Sequence, residues 1–226
     1  MRQIICLSQS KWSADPERTQ HLMRLLSNVE IFYFELTVTG NLTTYLTKDN
    51  TLEAREPHPG VKVYRVPTLL FWKSGTTPLE KWSRARTLKA IRRSLKDAGV
   101  RNGLLWCATP AVADLVEQIP HKGMIYDCFR AWERYPERME SQLAYDADMV
   151  FAASDNLMEH VAPCNPNTFL LANGVNYALY ARGAKPDTVP DPAFQRFQHP
   201  VFGYFGNVER DMDLRPLFYV ARRNPE

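Results

Sequence analysis

The sequence predicts an α/β fold built on a doubly wound, mostly parallel sheet. Three observations predict it. Short, continuous apolar runs recur along the 226 residues, as at Ile4–Leu7, Leu104–Ala108 and Met149–Ala153. Strands buried on both faces read this way. Segments with helical spacing alternate with these runs, as in His21, Leu22, Leu25 and Leu26. Polar residues stand at the carboxyl ends of the runs, which is where ligands of open α/β sheets bind.

Composition agrees with a folded chain. Hydrophobic residues make up 45% and charged residues 23%, enough apolar matter for a real core. The net charge of +3 permits anionic partners without demanding nucleic acid. The four cysteines, Cys6, Cys107, Cys128 and Cys164, have no C-x-x-C spacing. That argues against a zinc site, and no metal or cofactor is expected. Reduced cysteines inside strands behave as small hydrophobes, so a reducing cytoplasmic setting is the reading. The first apolar run is too short for a signal peptide. No stretch approaches the roughly 20 apolar residues of a membrane span.

Taken in order, Ile4–Leu7 is the first strand, and Ser8 to Pro16 a polar loop. Pro16 suits a helix start, and Glu17 complements its dipole. Val29–Val38, rich in β-branched and aromatic residues, is the second strand. Thr51–Arg55 is weakly strand-like, Pro57–Gly60 a turn, and Val61–Val66 alternates as a half-buried strand. Leu69, Leu70, Phe71 and Trp72 crowd a predicted loop. They tuck under the sheet or form an exposed patch for a partner or membrane. Leu79–Ala98 is a helix with seven Lys or Arg. Its basic side is either a solvated face or a surface drawn to anionic lipid.

Leu104–Ala108 is the next strand, and Thr109-Pro110 opens a helix over Ala111–Gln118. Met124, Ile125 and Tyr126 form a strand that ends in Asp127. Tyr135–Ala147 is a helix, Met149–Ala153 a strand, Asn156–Val161 a helix capped by Ser154 or Asp155. Phe169–Leu171 is a strand running into Asn173-Gly174, a turn signal. These make about six βα units on one Rossmann-like sheet. Then a polar stretch with three prolines, Lys185–Pro192, reads as a linker. Val201–Gly206 is a strand ending in Gly-x-x-Gly, and Leu214–Arg223 a helix. One strand and one helix cannot bury a core alone, so a second α/β domain only begins here.

No Walker loop, H-E-x-x-H or G-x-S-x-G is present. What remains is a set of polar residues at strand ends. Ser8, Gln9, Ser10 and Trp12 follow the first strand, Thr109 the fourth, Asp127 the fifth, Ser154 the sixth, and Asn173-Gly174 the seventh. Together they suit a sugar or another hydroxylated ligand. Singly, Ser154 and Thr109 read as helix caps. Asp127 is a general base for an attacking hydroxyl, or a structural carboxylate paired with Arg130 or a helix N-terminus. Arg18 is a substrate anion clamp or a surface arginine. Gly203 and Gly206, with Asn207, would let a backbone approach a phosphate.

These pieces, in this order, resemble bacterial glycosyltransferases of the GT-B type, near the teichuronic-acid-biosynthesis and family 1/family 4 group. The matching pieces are Ile4–Ser8 with Trp12 and Arg18-Thr19-Gln20-His21, Leu104-Leu105-Trp106 with Thr109-Pro110, and Tyr126-Asp127-Cys128. They continue with Ala147–Ser154, Leu171 with Asn173-Gly174-Val175, and Gly203–Gly206. Relatives tend to carry an acidic pair before the tryptophan where this chain has Arg130-Ala131. They commonly read Arg-Pro-Gln at Arg18-Thr19-Gln20.

The resemblance implies two facing domains. Residues 1–183 would be the acceptor-side domain, 184–198 a linker, and 199–226 the start of a truncated donor-side domain. It implies transfer from a nucleotide-sugar co-substrate to a polysaccharide or lipid-linked acceptor in cell-wall polysaccharide biosynthesis. Asp127 would be catalytic. Ser8, Gln9, Ser10, Trp12, Arg18, Gln20, Thr109, Ser154, Asn173 and Gly174 would bind acceptor, and Gly203, Gly206 and Asn207 donor phosphate. The chain by itself is expected to be inactive. The alternative is a non-catalytic Rossmann-like module docking at an anionic membrane surface. Either places the chain in the cytoplasm, with peripheral contact at the inner face of the membrane as a further expectation.

Overall fold

Ile4, Ile5, Cys6 and Leu7 are all buried, because β1 (Arg2–Ser8) lies mid-sheet with both faces covered. The computed structural model describes residues 2–13, 16–38, 45, 52–68, 77–133, 135–194, 203–204 and 212–224. The chain divides into two units, residues 1–174 and 175–226.

The first unit holds the sheet. After β1 come β2 (Val29–Val38), β3 (Ala54–His58), β4 (Val61–Thr68), β5 (Gly103–Cys107), β6 (His121–Cys128), β7 (Met149–Ala152) and β8 (Thr168–Leu170). Their order is β3-β4-β2-β1-β5-β6-β7-β8. Every pairing is parallel except β3 with β4. This is the mostly parallel α/β Rossmann-like architecture that the apolar runs predict. The chain leaves β1 toward β2 on one side and returns to β5 on the other, so the topological switch point lies between β1 and β5.

Side-chain parity splits the core in two. Ile5, Leu7, Leu105, Tyr126 and Cys128 face one layer, with Leu88, Ile91 and Leu95 of α2 (Pro78–Asp97) and Met139 and Leu143 of α3 (Glu137–Asp146). Ile4, Cys6, Tyr33 and Trp106 face the other, with Met23 of α1 (Arg18–Leu25) and Trp12. Because successive strand residues alternate faces, Asp127 lies on the α1 side while its neighbours Tyr126 and Cys128 lie on the α3 side. Glu140 of α3 fixes those neighbours. Its Oε1 accepts from Tyr126 Oη at 2.6 Å and from Cys128 Sγ at 3.3 Å.

At the other end of β6, Met124 N donates to Asp148 Oδ2 at 2.7 Å. A Cβ at Gly123 would sit 3.2 Å from that same oxygen. That is tighter than an ordinary contact, so a side chain there would crowd the Asp148 oxygen.

Two local readings differ from the structure. The turn expected at Pro57–Gly60 shortens, because β3 continues through Pro57 to His58. A register shift between Arg55 and His58, on an edge strand, accommodates a residue with no N–H to offer. The helix expected over Ala111–Gln118 is two 3₁₀ turns, Pro110–Val112 and Val116–Gln118. Ala111, Val112, Ala113, Leu115 and Val116 are buried, while Asp114, Glu117 and Gln118 form an exposed polar side. The segment tightens into i→i−3 bonds such as Ala113 N to Pro110 O and Leu115 N to Val112 O.

α4 (Asp155–Val161) follows β7, capped by Ser154. In the second unit, α5 (Tyr177–Tyr180) and α6 (Arg215–Arg223) are described, and none of their residues is buried. The bulky loop residues Leu69 to Trp72 lie outside the described residues, as do most of the strand expected at 201–206. Among the described residues, no helix is long and apolar enough to cross a membrane.

Candidate functional site

The site is built at the carboxyl edge of the sheet, where β1, β6 and β8 each end in a loop. α1 begins at Arg18, and its side chain crosses the end of β5 to reach β6. Arg18 Nε donates to Asp127 Oδ1 at 3.1 Å and to Oδ2 at 3.4 Å. Arg18 Nη2 lies 3.1 Å from Oδ1, with only 8% of the arginine side chain and none of the aspartate exposed. Arg18 Nη1 donates to Asn173 Oδ1 at 2.8 Å. Three expected site residues, from the start of α1, the end of β6 and the loop after β8, thus meet at one guanidinium. The carboxylate's partner is Arg18, not the Arg130 that its nearness in sequence suggests.

Burial pushes the Asp127 carboxyl above its usual range, while the Arg18 guanidinium pulls it down less strongly. The Trp106 indole N–H lies beside it and also favours the charged form. The indole contact lacks good hydrogen-bond geometry. Burial likewise raises the nearby Cys6 thiol, with Cys107 and Asp127 adding to the effect. Both Asp127 oxygens are engaged and the side chain is fully enclosed. A ligand meets it only through Arg18 or after Arg18 swings aside.

Beside this pair lies an aromatic and cationic cluster. Phe129, Trp132 and Tyr135 stack edge to face at 5.6 Å and 6.0 Å. The Arg130 guanidinium lies 4.8 Å from the Trp132 ring centre and 5.0 Å from that of Phe129. Its Nη2 is 3.9 Å from Glu17 Oε2. Gln9 donates to the Tyr135 hydroxyl, which brings the β1 loop onto the β6 loop.

The other expected residues hold the loops in shape. Ser8 Oγ accepts from Ser10 N at 3.1 Å, and Ser10 Oγ donates to Glu17. Trp12 is buried against Tyr33 and carries Arg24 over its ring. Gln20 is fully buried, and its Nε2 donates to Lys11 O at 2.6 Å. Thr109 and Ser154 cap the segments that follow them, accepting from Ala111 N and Leu157 N. Gly174 and Gly203 have open space where a Cβ would stand. Gly206 and Asn207 lie outside the described residues. Among the described residues, no group of three His, Cys, Asp or Glu is placed to hold a metal ion.

Residue-type reasoning missed Trp106, Tyr135 and Glu35. Trp106 was legible by parity, since it pairs with Ile125 in the β5–β6 register and so shares the Asp127 face. Glu35 reads as an ordinary polar position in β2. It is fully buried and accepts from Trp12 N at 2.9 Å, Arg55 at 2.8 Å and Arg65 at 2.7 Å. It pins the β1 loop from below.

No family model matches the chain, and no curated protein matches it. Solved structures do. A structure of trehalose-6-phosphate from E. coli bound with UDP-2-fluoro glucose superposes with a TM-score of 0.55 at 10% identity, over 81% of this chain and 52% of that one. The OtsA apo structure gives 0.54 at 11% identity, over 87% and 54%. A sucrose-phosphate synthase from Thermosynechococcus elongatus gives 0.50 at 14% identity, over 81% and 95%. This chain spans about half the length of the first two. The neighbours are GT-B glycosyltransferases, and what the chain shares with them is the α/β Rossmann-like fold.

Proposed function

We propose that this chain is the acceptor-binding part of a glycosyltransferase. The observation that carries the reading is the meeting of Arg18, Asp127 and Asn173 at the carboxyl edge, next to the switch point. The fold shared with GT-B glycosyltransferases supports it. The reaction would move a sugar from a nucleotide-sugar to a polysaccharide or lipid-linked acceptor, as the teichuronic-acid-like motif order suggests. Asp127, its carboxyl raised by burial, would take the proton of the acceptor hydroxyl once Arg18 is drawn away. Phe129 and Trp132 would flank the sugar rings. Residues 1–183 would form this side, with Gly203, Gly206 and Asn207 at the donor phosphates. We propose further that this chain by itself transfers no sugar.

A test has two parts. Nucleotide-sugars and saccharide acceptors are incubated with the chain, and nucleoside diphosphate release is measured. Turnover would overturn the proposed inactivity. Saccharide binding is then followed by saturation-transfer NMR. Binding that Asn173→Ala weakens is expected, and no binding of any saccharide would overturn the acceptor role.

Peripheral contact with an anionic membrane surface on the cytoplasmic side is a second part of the reading. The cationic character of α2 supports it.

A further inference from the structure

The charge of this chain is gathered in one helix. α2 carries Lys81, Arg84, Arg86, Lys89, Arg92, Arg93 and Lys96 against only Glu80 and Asp97. The whole chain has a net charge of +3, so everything outside α2 is net acidic. Some of these cations have partners. Arg84 is paired with Asp114, Arg93 lies 3.9 Å from Asp97, and Arg86 lies over the Tyr45 and Trp82 rings. Lys81, Lys89 and Arg92 are exposed and make no ion pair among the described residues.

Those three border a groove of about 430 Å³ between α2 and the Pro110–Gln118 segment. The buried side chains of Leu88 and Leu115 lie at its base, and the Arg84–Asp114 pair ties its two sides together. Cations above an apolar base suit an amphiphile better than a bare anion. Among the described residues no aromatic side chain lines the groove, so they offer none of the stacking platforms that single-stranded nucleic acid uses.

The direction of α2 matters. It ends at Asp97, shortly before β5 enters the sheet at its amino edge. Twenty residues of helix span about 30 Å, so the start of α2 lies at the carboxyl edge, the edge of Asp127. Leu79 and Trp82 are exposed there by 46% and 41%. The apolar face of α2 is packed on the sheet, so Leu79 and Trp82 are the apolar and aromatic residues it offers to a lipid interface.

We propose that the groove and the exposed face of α2 seat anionic phospholipid headgroups, so that the first unit rests on a membrane surface along α2. This rests on the peripheral membrane contact already proposed and assigns it a site. Lys81, Lys89 and Arg92 meet the phosphates, the groove admits a headgroup and its glycerol, and Leu79 and Trp82 reach the acyl boundary. The carboxyl edge, where α2 begins, then stands beside the membrane surface.

The full chain is sedimented with vesicles of phosphatidylcholine alone or with added phosphatidylglycerol, at low salt. Binding to the anionic vesicles only is expected. Lys89→Gln and Arg92→Gln should each weaken it about fivefold. Ala85→Trp, which fills the groove without changing charge, should weaken it also. Arg2→Gln and Lys122→Gln, exposed cations on other elements, should change it little. Circular dichroism checks that each variant is folded. No binding to either vesicle overturns both the groove and the peripheral contact. Anionic binding that groove and control variants weaken alike overturns the groove and leaves the contact standing. Complete competition by millimolar inorganic phosphate, or equally tight binding of a single-stranded oligonucleotide through the same residues, overturns the lipid assignment.

Discussion

Arg18 Nε and the Asp127 carboxylate stand 3.1 Å apart, from a helix that follows β1 to a strand two places along the sheet. The pair is enclosed, so losing one partner strands the other's charge. Arg18→Met should cost about 3–5 kcal/mol, and Asp127→Asn less, because the amide still accepts from the guanidinium. The double variant Arg18→Met/Asp127→Leu should recover much of the loss. Urea unfolding of the three variants gives these values. Equal costs for the single variants and their simple sum in the double would mean that the two groups are not coupled.

The raised Asp127 carboxyl also sets a sign. Its folded-state value lies above the ordinary 3.8, so the folded chain holds this proton longer than the unfolded one. Wild-type stability relative to Asp127→Asn should therefore fall as pH rises from about 3.8 through the raised value, and level off above it. Arg18→Met removes the main influence that pulls the value down, so it should push the window to higher pH. Unfolding free energies of wild type and variant across a pH series provide the check. A difference that grows with pH would contradict the direction.

Glu140 supports the site from the far side of the sheet. Glu140→Ala leaves the buried Tyr126 hydroxyl without its acceptor and should cost about 1–3 kcal/mol. Adding Tyr126→Phe removes the orphaned group, so the double variant should be less destabilised than Glu140→Ala alone. Thermal unfolding of the pair would show whether the second change restores stability.

Glu35 has a different balance. It is fully enclosed, but Arg55 and Arg65 keep 45% and 64% of their side chains in solvent. Those arginines can return to water, which limits their worth to well under 1 kcal/mol each in Arg→Ala variants. The bond to Trp12 N is the costly one. Glu35→Gln, which can still accept it, should cost about 1 kcal/mol, and Glu35→Leu about 2–3 kcal/mol. Chemical denaturation ranks them.

The sheet was legible because parallel strands buried on both faces must read as apolar runs, and seven of the eight strands form where runs or alternation stand, the exception being the antiparallel edge strand β3. Pro57 was misread because an edge position excuses a proline, and an edge does not show in a local window. The 110–118 segment keeps helical spacing, with Asp114, Glu117 and Gln118 outward, yet it closes as two 3₁₀ turns, a difference in hydrogen bonding that spacing over eight residues does not resolve. At the site, strand-end position found Asp127 and Asn173, and their sheet geometry was implicit in the order of the runs. That Arg18, more than a hundred residues away in sequence, is the partner depends on how α1 lies over β5. Ser8, Ser10 and Trp12 were singled out as polar or aromatic residues after the first strand, and Gln20 through the resemblance. In the structure they bond to the β1 loop and the start of α1, or pack on β2. Residue type does not tell an inward-turned loop side chain from an outward one.

The lash between Met124 N and Asp148 Oδ2 fixes how far along its axis β6 is drawn before it ends. Asp127 lies three residues beyond Met124, about 10 Å at the usual rise of a strand. Gly123 therefore leaves room for a contact that ties β6 to the start of β7 well away from that carboxylate. A Cβ there would stand 3.2 Å from the Asp148 oxygen, so the oxygen would have to give before the bond to Met124 N could keep its geometry.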